Sequence, residues 1–279
     1  MNAMTEHQLI MKSIEYRIRL LGCIKKAKAG HTGGSLSCVD ILNVLYNCVL
    51  NISPETVHDP RRDRYIQSKG HSVEALYVVL ADKGFFPDSD LDTFCRFRSP
   101  YVGHPTRKIK GIEQNTGALG HGLAFSAGAA LGGKLDGLGY RVFTLLGDGE
   151  LAEGSNWESM MTAAHYGLDN LTAIVDRNQL QITGRTEEVC ALENLSDKFT
   201  AFGWSVREVD GHDVAALREV LSATPFLVGK PSMVIAHTIK GKGVSFMENN
   251  AQWHHGVSSD EQYESAIREL RLQMQEMGV

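Results

Sequence analysis

Two short stretches carry the first chemical signal. In "FTLLGDG", residues 143–149, an apolar run ends at Asp148 between two glycines. The next such run, "LTAIVDRNQL", ends in Asn178 and Leu180. A carboxylate, an amide and the Leu180 carbonyl are hard oxygen donors suited to Mg²⁺ or Ca²⁺, with the remaining ligands coming from water and phosphate. Glycine on each side of Asp148 leaves room for a ligand to approach the backbone. A helix cap at Asp148 and a turn at Asn178 account for the same residues equally well, so local reading leaves both open. Histidine adds weight to a site. Of the 11 histidines, five directly follow glycine: His31, His71, His104, His121 and His212. Backbone freedom in such loops lets several rings point into one polar cleft that titrates near neutral pH. "NTGALGHG", residues 115–122, adds a glycine-rich turn opening a helix, where backbone N–H groups can meet an anion.

For Asp148 and Asn178 to meet, their apolar runs must be neighbouring parallel strands joined by a helix. The rest of the chain fits that scheme. Helical spacing runs from Met4 to Ala29, and a second helix is expected from Ser35, as its N-cap, to about Leu50. A short strand in "DRYIQSKGH" precedes the helix "SVEALYVVLADKG", closed by Gly84. Residues 85–114 are loop-rich, interrupted by Pro87, Pro100 and Pro105, and long loops in compact domains are more often functional than idle. Helices are expected in "LAFSAGAALGGKL" and "SNWESMMTAAHYGL", strands in "WSVREVD" and "SMVIAHT" around a helix from about Val214, and a capped amphipathic helix in "SSDEQYESAIRELRLQMQ". The alternation predicts a three-layer α/β/α fold with a mainly parallel sheet, right-handed crossovers and ligands at the carboxyl ends of the strands. One domain spanning residues 1–279 accommodates it.

Composition narrows the partners. A formal net charge of -5 argues against nucleic acid or anionic lipid, both of which need a basic field. No apolar run approaches the roughly 20 residues that span a bilayer, and the N-terminus lacks the shape of a signal peptide, so a cytoplasmic protein is expected. The five cysteines form no CxxC pair and read as reduced, small hydrophobes. "GAALGGK", residues 128–134, has the spacing of a phosphate-binding P-loop, but Leu135 stands where Ser or Thr should follow and no strand precedes it. No strand-turn-helix carries GxGxxG, so a dinucleotide site has little support.

Together these motifs resemble the N-terminal, diphosphate-binding domain of transketolases, which are thiamine diphosphate enzymes. "GDG" followed by "DRNQL" resembles the general thiamine diphosphate motif. "KAGHTGGSLS", "SKGH", "VGHP", "NTGALGHGL", "DGHD" and "KGKGVSF", in this order, are similar to transketolase in particular, over nearly the whole chain. The resemblance makes Asp148, Asn178 and the Leu180 carbonyl ligands of Mg²⁺, for which Ca²⁺ or Mn²⁺ can substitute. It places His71, Gly117, Ala118, Leu119, Gly149, Glu153 and Asn178 against the cofactor. His31, His104 and His255 face the substrate, with His255 also near the cofactor; "QWHHG" leaves His254 and His255 as alternatives, the latter fitting better beside Gly256. Glu158 resembles a subunit-contact glutamate, His121 takes no role, and His212 is structural, since Asp213 can cap the next helix. Imidazoles with ordinary pKa values near 6.5 would then move protons as a two-carbon ketol unit passes from a ketose to an aldose. Full-length transketolases continue into pyrimidine-binding and C-terminal domains that supply an activating glutamate and phosphate-gripping basic residues. The expectation is an N-terminal subunit completed by a second chain, in an α2β2 assembly acting on sugars or sugar phosphates. Sulfo-sugar, apiose-type and 1-deoxyxylulose-forming relatives stay open, as do the α subunit of a 2-oxo acid dehydrogenase and a non-catalytic module on the same fold.

Overall fold

The computed structural model describes residues 4–278; residues 1–3 and 279, the ends of the expected domain, lie outside the described residues. Five parallel strands form one sheet in the order β1-β2-β3-β5-β4: β1 (Arg64–Gln67), β2 (Val142–Gly147), β3 (Leu171–Arg177), β4 (Ser205–Asp210) and β5 (Ser232–His237). Alternation along the central strands β2, β3 and β5 feeds two cores. Phe143, Leu145, Ile174, Val234 and Ala236 face one of them, packed under α1 (Glu6–Ala27), α2 (Thr32–Val44), α3 (Val73–Asp82), α8 (Val214–Ser222) and α9 (Asp260–Met277). Val142, Leu146, Ala173, Val175, Met233 and Ile235 face the other, under α4 (Gly122–Leu135), α5 (Gly154–His165) and α7 (Leu195–Ala201). Successive side chains on a strand point to opposite faces, so a sheet covered on both sides needs apolar residues at every position. That is the three-layer α/β/α arrangement the sequence predicts. Among the described residues no helix is long and apolar enough to cross a membrane.

The ends of several helices follow local chemistry. Thr5 and Ser259 each close a capping box, with Gln8 and Gln262 reaching back to the cap. Asp213 accepts from Ala215 N and Ala216 N at the start of α8, as expected. Residues 128–134 lie inside α4, which removes the P-loop reading.

One boundary is corrected. Ser35 is not the N-cap of the second helix; α2 begins at Thr32, with His31 as a cap that makes no side-chain bond. The Ser35 hydroxyl donates to Glu74 Oε2 at 2.8 Å instead. All of α2 is buried, so tertiary contact rather than a capping side chain sets its start. The helix then passes into a π turn, Leu45–Val49, reaching the expected end near Leu50.

Candidate active site

Four strand ends converge on a cavity of about 540 Å³. After β1 come Lys69 and His71; after β2, Asp148, Gly149 and Glu153; after β3, Asn178 and Leu180; after β5, Lys240. His31 at the start of α2, His104 from the long loop, Gly117 and Leu119 from the glycine-rich turn, and His254 complete the part of the lining used below. Register explains the first meeting: Gly147 pairs with Asp176, so Asp148 and Asn178 leave the sheet side by side.

Asp148 is almost fully buried and densely bonded. Its Oδ1 accepts from Gly149 N at 2.8 Å, and its Oδ2 accepts from Gln179 N at 2.5 Å and from the Arg177 guanidinium at 3.3 Å. Burial, and then the nearby Asp176 carboxylate, push its pKa up to about 6 against the pull of Arg177 and the two backbone donors. Asp148 thus caps a 3-10 turn, Gly149–Ala152, and it also faces the cavity, so the capping role leaves a ligand role open. Among the described residues Asn178 Oδ1 accepts only from Leu180 N, at 3.1 Å. The Leu180 carbonyl accepts from Lys240 Nζ at 3.3 Å, so a cation already stands beside the oxygen cluster. One carboxylate, one amide and one carbonyl at the same edge suit a hard divalent cation. Two ammonium groups and the exposed turn around Gly117 suit a diphosphate. A cavity of this size is within the usual range for a cofactor.

Of the two glycines beside Asp148, Gly149 is crowded by protein rather than open. A Cβ at Gly149 would stand 2.7 Å from Gln181 Cβ, so the following loop, rather than a ligand, takes that room. At Gly117, φ is +127° and a Cβ would lie 2.3 Å from His104 Cδ2. Glycine there lets the turn and the imidazole share the cavity floor.

The imidazoles cluster edge to edge. His31 has ring centroids of His255 at 4.7 Å, His71 at 5.2 Å, His254 at 5.6 Å and His104 at 6.1 Å. Ordinary pKa values do not survive at His31, His71, His104 and His254. Burial, with His255 and His104 next, lowers His31 to about 4; burial and Lys240 lower His254 to about 3. Burial and Lys69 hold His71 well below its usual value, and burial lowers His104. These rings are neutral at pH 7, donors and acceptors of hydrogen bonds rather than cations. His254 Nδ1 is 3.0 Å from Lys240 Nζ and its ring lines the cavity, whereas exposed His255 packs on His31 from outside the lining. Ala118 and Glu158 lie outside the lining too, Glu158 exposed on α5. His212 bridges Asp40 Oδ2, at 2.7 Å, and Ile239 N, at 2.8 Å, a structural tie.

Several residues that the sequence reading did not single out support this site. Lys69 is fully buried and pairs with Asp176, which also accepts from Ser37 Oγ at 2.6 Å and from Thr238 Oγ1. Glu150 accepts from Gly120 N at 2.8 Å and Gly147 N at 2.9 Å, tying the glycine-rich turn to the end of β2. Glu74 Oε1 accepts from His31 N at 3.0 Å under the imidazole cluster. Lys69 and Lys240 lie in the stretches "SKGH" and "KGKGVSF", so only their role was hidden.

Glu74 makes a pH dependence testable. Burial raises its pKa from 4.5 to about 7. Between those values the folded chain holds a proton that the unfolded chain has lost, so stability falls as pH rises through the window. The full shift is worth about 3 kcal/mol. Glu74→Gln keeps an acceptor for His31 N in a permanently neutral side chain. Its melting temperature at pH 8 is expected above that of the native chain, and a lower one refutes the assignment. The lowered imidazoles act with the opposite sign, so native stability also declines as pH falls from about 6.5 toward 4.

Comparison with known proteins now bears on the geometry. Residues 9–276 match the family model "Transketolase, thiamine diphosphate binding domain". The chain belongs to the transketolase family. It is 47% identical over 269 residues to an apulose-4-phosphate transketolase subunit from Phocaeicola vulgatus, covering 96% of each chain. It is 40% identical to a 6-deoxy-6-sulfo-D-fructose transketolase subunit of a Clostridium species, covering 96% of this chain and 98% of that one. The crystal structure of transketolase from Campylobacter jejuni superposes with a TM-score of 0.86 at 27% identity, over 97% of this chain and 48% of that chain. The chain thus spans about half the length of that transketolase. The family match disfavours the α subunit of a 2-oxo acid dehydrogenase, and the cavity belongs to a thiamine diphosphate-binding domain.

Proposed function

We propose that this chain is the cofactor-binding subunit of a two-chain transketolase, which moves a two-carbon ketol unit from a ketose to an aldose. The observation that carries this reading is the meeting of an oxygen donor set and the neutral imidazoles of His31, His71, His104 and His254 in one cavity at four strand ends. Asp148, Asn178 and the Leu180 carbonyl would hold Mg²⁺. His71, the backbone of Gly117, Ala118 and Leu119, Gly149 and Glu153 would hold thiamine diphosphate, with Lys69 and Lys240 balancing its charge. When bound, that cofactor supplies the carbanion chemistry. The protein's part is to orient the sugar and move protons. His31 and His104, neutral and close together, can accept hydrogen bonds from donor hydroxyls, take a proton as the C–C bond breaks and return it as the new bond forms. His255 and His254 flank His31 and would complete that face.

A second chain is part of the proposal. Relatives 47% and 40% identical are named as subunits. At the cavity wall Ile182 and Val189 are 65% and 49% exposed, and Phe97, on the loop that carries His104, is 91% exposed. Apolar side chains grouped around a site call for cover. The covering chain would bring the pyrimidine-binding domain and the activating glutamate, in an α2β2 assembly that also engages Glu158. All five cysteines are unpaired, as suits the reducing cytoplasm. The named sugars of the relatives each end in an anionic group, so the donor is proposed to be an anionic ketose of carbohydrate metabolism, with apulose 4-phosphate the first to assay. The test is ketol transfer by this chain alone, and together with a captured chain bearing a pyrimidine-binding domain. Activity should require both. Full activity from this chain alone, or decarboxylation of 2-oxo acids by the pair, would sink the proposal.

A further inference from the structure

Beside the cavity, Arg177 is unlike any other cation near it. It is the last residue of β3, and its side chain is only 8% exposed. From this position the guanidinium reaches in two directions. One nitrogen donates to Asp148 Oδ2 at 3.3 Å and to Thr186 Oγ1 at 2.7 Å; the other donates to Glu187 Oε1 at 2.8 Å and to Glu193 Oε1 at 3.5 Å. Thr186, Glu187 and Glu193 all belong to the segment 181–193, which contributes Gln181, Ile182, Thr183 and Val189 to the cavity wall. That segment holds one short helix, α6 (Thr186–Val189), and two of its apolar wall residues are about half or more exposed. Leu192 anchors its far end in the core, but the wall residues between are held by little apolar burial, so polar contacts must fix their position. Glu187 extends the tie by accepting from Leu192 N at 3.1 Å.

We infer that Arg177 is a positioning residue that couples the wall segment 181–193 to the Asp148 carboxylate. Its planar, permanently charged fork suits this task, because it can bond carboxylates on two sides at once where an ammonium would serve as a single point charge. With Arg177 in place the Asp148 side chain keeps one orientation, and the Ile182 and Val189 side chains stay over the cavity. Without it, Asp148 would keep only its two backbone donors, and the segment would lose its side-chain tie to the sheet and keep the backbone bond from Thr186 N to Gln179 O. The link to Asp148 rests on the metal-ligand reading given above; the tie to the wall segment does not.

Hydrogen exchange of the ligand-free chain, read by mass spectrometry, decides the structural half. Arg177→Met should raise exchange in 181–193 at least about tenfold, since charge-assisted hydrogen bonds are lost, while protection of α1 and α3 stays unchanged. Glu187→Gln, a milder change that leaves the Asp148 contact, should raise exchange in the same segment by a smaller factor, and it decides the matter alone if Arg177→Met fails to fold. Unchanged exchange of 181–193 overturns the inference, as does a uniform rise across the whole domain. Titration of the two-chain complex with thiamine diphosphate and Mg²⁺, followed by calorimetry, tests the second half: affinity should fall at least about tenfold in Arg177→Met. A looser segment with native affinity overturns the coupling to Asp148. If the native chain fails to bind the cofactor even with the second chain present, the metal-ligand reading fails instead, and the exchange result still judges the tie between Arg177 and the wall.

Discussion

Lys69→Met is expected to destabilise the folded chain by about 3–5 kcal/mol, the usual cost of leaving a buried charge without its partner. Lys69 and Asp176 are 1% and 0% exposed. Burial pulls the Lys69 ammonium down, and the Asp176 carboxylate overrides it and holds its pKa above the ordinary value. For Asp176, burial pushes upward, and Lys69 with the Ser37 and Thr238 hydroxyls overrides it downward. Both groups are therefore ionised in the fold, and removing one strands the other. For a chain of this length the loss corresponds to a melting temperature lower by roughly 10 °C. Replacing both, Lys69→Met with Asp176→Leu, should recover much of the stability, because neither charge then remains buried. A single variant that melts within about 2 °C of the native chain would show that water reaches the pair.

Asp148→Ala is expected to weaken magnesium-dependent binding of thiamine diphosphate by more than about 100-fold, beyond the tenfold to hundredfold that partners of metal ligands command. The same change should cost little stability. The Asp148 carboxylate is a strained ion, raised by burial and by Asp176, and its removal leaves Arg177 still paired with Glu187 and Glu193. Calorimetry of the two-chain complex with the cofactor and Mg²⁺, set beside a thermal melt of this chain, separates the two effects. Native affinity in this variant would remove Asp148 from the ligand set; a collapsed melt would make it a structural residue.

Much of this could be read along the chain. Apolar runs ending in glycine or a polar turn marked β2 and β3, since a strand covered on both faces needs apolar residues throughout. Asp148 and Asn178 followed from those runs, because parallel neighbours joined by one helix must deliver their ends to the same edge. The capping boxes and the turn at Gly117 are local, and local chemistry is legible without a fold. The family was legible in the order of the glycine-histidine motifs.

What the sequence could not decide depends on distant residues meeting. Lys69 follows β1 and Asp176 lies in β3, and each reads as a surface charge until β1, β2 and β3 stack side by side. Glu74 sits in an ordinary helical pattern, and only the approach of His31 and Ser35 makes it a buried acid. Ser35 looked like a cap because capping is a local habit, but burial of all of α2 overrode it. The histidines were expected to titrate near neutrality. Their number and spacing were visible in the sequence, but their protonation depends on burial and on ammonium groups from two other strand ends. The sequence by itself determined which groups are present and along which strands they arrive. Tertiary structure alone decided their charge, because the cost of an ion is set by what surrounds it in space.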